Sequence, residues 1–383
     1  MTWRIGFVLG TTTGGTGRHV AMLASACAAA GAHVEVFGPE SSRAFFAVPA
    51  RPASPAASAA PPAAPASASP AVFAPVGIAD RPRPAGDLAA IRLLRRLLAG
   101  LRPDVVHAHG MRAGALAALA LPLRVPLVVT VHNARPAGAR LAMIYAVLER
   151  IVARRANVVL CVSPDLSARM RGLGAKSVRR AVVPPPPAGP GQPPAGGPKA
   201  IELAAEGRPI VLGAGRLAAQ KGFDLLLAAA SGWRNRVPVP LVVIAGDGPL
   251  AGDLAARADA LGVDARFLGT RSDVTDLLAV ADVFVLPSRW EGQPLILQEA
   301  LRAGRPIVAA DVGGVRDLCG EDQAALLVPA AHPAALRTAV LSVLDDPDLG
   351  SRLSAAAAAR AASLPAVAEA AAAALALYRA LAQ

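Results

Sequence analysis

Short apolar runs, rich in β-branched residues, alternate with longer helix-like stretches along most of the 383 residues. In the first half the runs fall at 5–9, 34–37, 105–108, 127–131, 158–162 and 178–183. Helix-like stretches separate them, including 19–30, 88–99, 140–154 and 166–171. Runs this short and this apolar suit strands buried on both faces, and parallel strands need a crossover helix between neighbours. The alternation therefore predicts a doubly wound α/β sheet. The second half repeats it as far as Val328. Helices are then expected over about 333–345, 347–362 and 365–382.

Two segments interrupt the pattern. Residues 49–75 are largely Ala, Pro and Ser, a composition that cannot pack a core, so they read as a disordered insertion. Residues 184–198 hold eight prolines and read as a semi-rigid linker. The chain is long enough for two cores. The expected division is a first domain over 1–183, the linker over 184–198, a second domain over 199–364 and a final helix over 365–383.

Charge is unevenly shared. Residues 1–187 carry 22 Lys and Arg against 7 Asp and Glu, while the remainder carries 17 against 20. A basic half suggests an anionic partner, although arginine drift on a solvated face would look the same: only Lys176, Lys199 and Lys221 stand against 36 arginines. Arg92, Arg95 and Arg96 fall on one side of a predicted helix, among Leu93, Leu94, Leu97 and Leu98. Arg140, Arg150, Arg154 and Arg155 flank the apolar stretch 141–148. Contact with an anionic membrane is one expectation from these helices, with nucleic acid not expected. Cys27, Cys161 and Cys319 share no metal spacing and suit reduced thiols. With no signal-like opening and no apolar run of transmembrane length, a cytoplasmic location is expected, with peripheral attachment to the inner membrane face as an extension.

The chemistry concentrates in the second half. Residues 289–304 read R-W-E-G-Q-P-L-I-L-Q-E-A-L-R-A-G. Glu291 is expected on a tight loop before Gly292, Gln293 and Pro294. Pro294 suits the first position of a helix that continues through Leu295, with Glu299 about a turn inside it. The free N–H groups of such a helix start form an anion site. Upstream, Gly213-x-Gly215-Arg216 leads to Gln220-Lys221-Gly222-Phe223 across a strand-to-helix turn. Arg216 and Lys221 offer a donor fork and a compact charge to one diphosphate. Gly246-Asp247-Gly248-Pro249, Phe267-Leu268-Gly269 and Val312-Gly313-Gly314 with Asp317 follow in order. In the first half, Thr11 to Gly17 form a glycine-rich loop containing Gly14 and Gly15. It fits a dinucleotide fingerprint poorly, because Val20 stands where the third glycine belongs. His107, His109 and His132 lie at strand ends. Three histidines suggest a metal, but no acidic or cysteine ligand lies nearby in the sequence.

These motifs resemble the family-four retaining glycosyltransferases (glycosyl transferases group 1) in order and spacing from about residue 209 to 345. The resemblance implies two Rossmann-like doubly wound domains facing across a cleft, the GT-B fold, with the last helix crossing back onto the first domain. It implies a nucleoside-diphosphate sugar donor and a metal-independent transfer with retention to an acceptor hydroxyl; the acceptor itself is unknown, with a lipid-linked one an option. No cofactor is expected. Arg216 and Lys221 would take the phosphates, Glu299 the ribose hydroxyls and Glu291 the transferred sugar. Leu268 and Arg271 would flank the base. Gly14 and Gly15 would face the donor phosphates, with Gly215, Gly246, Gly292, Gln293, Pro294 and Leu295 completing the donor site. His132, in a T-x-H pattern, would lie beside the sugar, and His109 would face the acceptor. Where many relatives have Asn-Gly after the sixth strand, this chain has Pro184-Pro185-Pro186-Pro187, so no donor contact is carried to that position. A sugar-nucleotide epimerase of the same fold, or a non-catalytic sugar- or lipid-binding relative, are the alternatives; the paired glutamates argue against the first.

Overall fold

The computed structural model describes residues 2–11, 15–46, 71–79, 81–132, 139–184, 200, 202–203, 206–320 and 324–382. Gly14, most of the 49–75 segment and residues 185–198 of the linker lie outside these. The chain divides into two compact units, Met1–Pro186 with Pro365–Gln383, and Pro187–Leu364.

The first unit is built on a seven-stranded, all-parallel sheet. Its elements are β1 (Arg4–Leu9), α1 (Gly15–Ala29), β2 (His33–Gly38), β3 (Val72–Pro75), α2 (Pro84–Leu101), β4 (Val105–His109), α3 (Met111–Ala120), β5 (Leu127–Val131), α4 (Ala139–Arg155), β6 (Val158–Cys161), α5 (Pro164–Gly172) and β7 (Val178–Arg180). The strand order is β3-β2-β1-β4-β5-β6-β7. Alternate side chains face opposite layers. Ile5, Phe7 and Leu9 pack with Val20, Leu23 and Cys27 of α1 and with Leu377 and Tyr378 of the last helix. On the other face Gly6 lies against Leu98 of α2, and Gly114 of α3 lies against Val129.

The second unit holds β8 (Ile210–Ala214), α6 (Phe223–Ala230), β9 (Leu241–Ala245), α7 (Ala251–Leu261), β10 (Ala265–Phe267), α8 (Val274–Val280), β11 (Val283–Leu286), α9 (Leu295–Arg302), β12 (Ile307–Ala310), α10 (Val315–Cys319), β13 (Leu326–Val328), α11 (Pro333–Asp345) and α12 (Pro347–Ala362). Its sheet runs β10-β9-β8-β11-β12-β13, again all parallel. Ile210, Leu212, Val243, Phe284 and Leu286 face α8, α9, α10 and α12. Their neighbours Val211, Val242, Ile244, Val283 and Val285 face α6, α7 and α11. A final helix, α13 (Val367–Ala382), packs on α1 in the first unit.

Three local expectations need correction. Residues 72–75 end the supposed insertion but form β3, an edge strand paired with β2. Phe73 secures it by stacking on Phe46 at 5.5 Å, with the Arg43 guanidinium 4.9 Å above its ring. Pro75 is tolerated because it closes an edge strand, where no ladder donor is lost to a further neighbour. The 178–183 run pairs only over Val178–Arg180. Pro294 is the N-cap of α9 rather than its first residue: at φ −69 and ψ 118 it is extended, and Leu295 starts the helix.

Candidate functional site

Each sheet reverses its winding direction once, between β1 and β4 in the first unit and between β8 and β11 in the second. The loops leaving such a pair diverge at the carboxyl edge, and open α/β sheets place ligands there. Most of the sequence-nominated residues sit at these two points.

In the second unit, the loop after β8 carries Gly215, Arg216 and Lys221, and the loop after β11 carries Ser288 to Pro294. Lys221 Nζ donates to Glu291 Oε1 at 2.5 Å, and Ser288 Oγ donates to the same oxygen at 2.7 Å. Glu291 is only 8% exposed, so the carboxylate is an ordered internal group and not a solvated loop charge. Lys221 lies alongside Gly215, where an added Cβ would come within 3.3 Å of its Cε.

The two loops are tied together beyond the ion pair. Arg289 grips Asp224 with both terminal nitrogens, at 2.7 and 2.6 Å, and also donates to the Ala219 carbonyl. The Arg289 amide donates to Gln220 O at 2.8 Å, while the Gln220 side chain donates to Trp290 O at 3.0 Å. The guanidinium holds the Asp224 carboxyl below its ordinary range. Two glycines bring backbones into contact. Gly222, at φ 65, abuts the Pro287 carbonyl, and Gly313, at φ 55, abuts the carbonyl of Glu291; a Cβ at either would overlap that oxygen. Lys221 and Glu291 therefore stand on a frame cross-braced from both sides, as a preorganised site requires.

The remaining donor-side candidates are placed as follows. Arg216 is exposed. Gly246 joins the frame through its amide, which donates to Gly269 O at 2.7 Å. Gly292 O accepts from the Gly314 amide at 3.0 Å. Gln293 precedes the helix start with its buried Oε1 unpaired among the described residues. Leu295 opens α9, and Glu299 lies a turn inside it, half-buried and near enough to influence Arg302. Leu268 turns its side chain toward the core. Arg271 is taken by Asp273, which it contacts through both Nε and Nη2, so it is engaged locally and not held open for stacking.

In the first unit the edge is lined by imidazoles. His107 and His109, two apart on β4, share a sheet face, with ring centroids 4.1 Å apart. His107 is clamped by the Tyr378 hydroxyl at 2.5 Å on Nδ1 and by Thr130 Oγ1 at 2.7 Å on Nε2. His109 Nδ1 lies 3.2 Å from His132 Nε2, and His19 of α1 approaches both rings edge-on. Burial pushes His19 down to about 4 and His132 down to about 3, and holds His107 and His109 well below the ordinary range. All four are neutral near pH 7. His109 is 2% exposed, and its hydrogen-bonding contact is with His132. Gly15 opens α1 beside this group. Among the described residues no group of three or more His, Cys, Asp or Glu is arranged to hold a metal ion.

The sequence did not single out Ser288, Asp224, Arg289, His19, Thr130 or Tyr378. Apart from Ser288, which lies three residues from Glu291, each acts through a partner distant in sequence, such as the 271 positions between His107 and Tyr378. The one available signal was that Arg289 and Asp224 flank the two motifs whose loops they join.

Comparison with known proteins supports the architecture. Residues 14–186 match the family described as glycosyl transferase 4-like domain, and residues 199–360 match glycosyl transferases group 1. The alpha-D-kanosaminyltransferase of Streptomyces kanamyceticus is 35% identical over 150 residues, which are 38% of this chain and 39% of that protein. The chain thus spans well under half of that relative's length. The UDP-Gal:alpha-D-GlcNAc-diphosphoundecaprenol alpha-1,3-galactosyltransferase of Escherichia coli is 29% identical, over 68% of this chain and 71% of that one. The solved structure of Anabaena HepE in complex with UDP superposes with a TM-score of 0.75 at 18% identity, covering 98% of this chain and 100% of that one; at that identity the likeness shows the fold. With one family match on each Rossmann-like unit and a GT-B neighbour over nearly its whole length, the chain belongs to the group 1 glycosyltransferases of the GT-B fold.

Proposed function

We propose that the protein is a retaining glycosyltransferase that moves a sugar from a nucleoside-diphosphate sugar to an acceptor hydroxyl without a divalent metal. The observation that carries this reading is the braced Lys221–Glu291 pair at the switch point of the second sheet. Lys221 and Arg216 take the diphosphate, and the N-terminus of α9 adds first-turn N–H groups that have no partner within the helix. Glu291 accepts from hydroxyls of the transferred sugar and Glu299 from the ribose. His132 is the sugar-side contact of the first unit.

The acceptor oxygen bonds to the anomeric carbon on the face from which the diphosphate departs. The carbon–oxygen bond to phosphate breaks, and the acceptor's proton passes to the leaving phosphate oxygen. No protein base is needed, so catalysis rests on positioning and on stabilising the diphosphate. Incubation with a panel of nucleotide sugars is the test. Released diphosphate, an α-linked product from an α-linked donor and activity surviving EDTA are expected. A β-linked product overturns retention, and an epimerised donor with no transfer favours the epimerase.

A lipid-linked acceptor at the inner membrane face is the partner we propose. The helices α2, α3 and α4 pack in one layer. That layer exposes Leu88, Leu93, Leu119, Met143, Ile144 and Val147 beside the exposed Arg92, Arg95, Arg96, Arg150 and Arg154. Leu94 and Leu98 are buried, so the apolar share of α2 is smaller than its sequence implies. No single described helix is long and apolar enough to cross a membrane. Exposed apolar side chains and arginines on one helical layer fit the interface of an anionic bilayer, with about 1 kcal/mol per basic residue, screened by salt. The Escherichia coli relative, whose name gives a diphosphoundecaprenol acceptor, supports the same chemistry. Flotation with anionic liposomes at low salt, lost with neutral liposomes or at high salt, is expected. Equal flotation in all three conditions, or none in any, favours a soluble acceptor.

A further inference from the structure

We infer that His109 is a positioning residue that fixes the tautomer of His132, so that His132 presents Nδ1–H as a hydrogen-bond donor to the sugar. The role given to His132 rests on the proposed function; the tautomer itself rests on the geometry alone.

His109 Nδ1 and His132 Nε2 are 3.2 Å apart. A neutral imidazole carries one N–H and one bare nitrogen, so one of these two atoms donates and the other accepts. Suppose His132 donates from Nε2. His109 then accepts at Nδ1 and must carry its own proton on Nε2. That Nε2 is buried and has no hydrogen-bond partner among the described residues. Its ring is packed against Phe7 at 5.9 Å and His107 at 4.1 Å. This arrangement strands an N–H in the core, and orphaned buried N–H groups are rarer than under-used acceptors. In the other arrangement His109 donates from Nδ1 and leaves only a lone pair at Nε2. His132 then accepts at Nε2 and carries its proton on Nδ1. The second arrangement is the one we assign.

His107 shows why His109 is decisive. Its two partners are the Tyr378 and Thr130 hydroxyls, each able to donate or accept, so they impose no tautomer on it. The nitrogen-to-nitrogen contact of His109 has no such freedom. His19, edge-on to His132 at 5.8 Å, and the near-parallel His109 ring at 5.5 Å hold the His132 plane. Because His132 stays neutral, it offers a hydrogen bond to a sugar oxygen and does not surrender its proton.

The experiment uses the full chain with 15N-labelled histidine. Long-range nitrogen–proton correlation spectra at pH 7 should show both His109 and His132 protonated at Nδ1. A His132 protonated at Nε2 overturns the proposal, whatever the enzyme's substrate proves to be. The second arm is kinetic. His109→Phe keeps the packing but removes the donor that selects the tautomer; His132 should then populate both forms with shifted resonances, and kcat should fall by up to about tenfold, the equivalent of one hydrogen bond, with little change in donor KM. His109→Asn returns an N–H near the Nδ1 position and should recover most of that loss. A folded His109→Phe protein with unchanged His132 resonances and unchanged kcat also overturns it. If no nucleotide sugar is turned over by the wild-type protein, the functional reading fails while the spectra still decide the tautomer.

Discussion

The two units solve the same geometric problem with opposite electrostatics. Each sheet has its switch point after its first and fourth strands in chain order, ignoring the added edge strand β7. His19 follows β1 as Lys221 follows β8. His109 ends β4 as Glu291 follows β11, and His132 follows β5 as Gly313 follows β12. The first unit fills that position with neutral rings held by burial. The second fills it with a lysine–glutamate pair and an arginine–aspartate brace. Topology thus sets where a site forms, and a few side chains set its chemistry.

The contrast is most exposed to acid. The four histidine pKa values lie below the unfolded value of about 6.5. For such depressed groups, stability is complete above about 6.5 and is lost as pH falls toward about 4 for His19 and about 3 for His132. His19 and His132 each remove roughly 2 kcal/mol by pH 5, and His107 and His109 act in the same direction. The second unit has one histidine, His332, which is exposed, and its Asp224 and Asp273 carboxyls are held low by arginines, so their contributions persist through pH 5. Calorimetry at pH 7.5 and pH 5 should show the first unit's transition falling steeply and the second's barely moving. Equal shifts would erase the distinction.

Charge removal should strike the second unit alone. Lys221→Ala should weaken nucleoside-diphosphate binding at least tenfold by titration calorimetry, since a charge-assisted contact is worth about 1.5–3 kcal/mol; unchanged affinity in a folded protein would remove Lys221 from the donor site. Asp224→Asn breaks a half-exposed brace and should lower the second unit's stability by about 1 kcal/mol or less, with a two- to fivefold loss of diphosphate affinity, roughly the same energy converted. High salt should narrow its gap from wild type. Tyr378→Phe removes one buried hydrogen bond to His107 and should cost the first unit about 1 kcal/mol. It should leave diphosphate binding untouched, and a change there would break the separation between the two sites.

The strands were legible because uninterrupted β-branched runs leave little other reading. β3 was hidden by its setting: four residues at the end of an Ala-Pro-Ser tract, closed by a proline, carry almost no period. α3 was not singled out because nearly all of its residues are buried, so it shows no polar stripe. Glu291 and Lys221 were both nominated, yet assigned to different parts of one ligand. That they bond to each other depends on two loops meeting 70 residues apart, and charge at each position gives no hint of it. The histidines were seen as strand ends, while the ring contacts that keep them neutral depend on α1 and α13 closing over β4.

The return of α13 has a consequence for how the protein is made. Synthesis runs from the N-terminus, and domains generally fold as they emerge. Every residue of the second unit, through Leu364, leaves the ribosome ahead of Tyr378. Until then Phe7 and His107 lack the helix that covers them, and the nascent first unit carries a wet, protonatable apolar flank. The earlier-translated domain is therefore the later one to mature, and that interval is when chaperones have the most to hold.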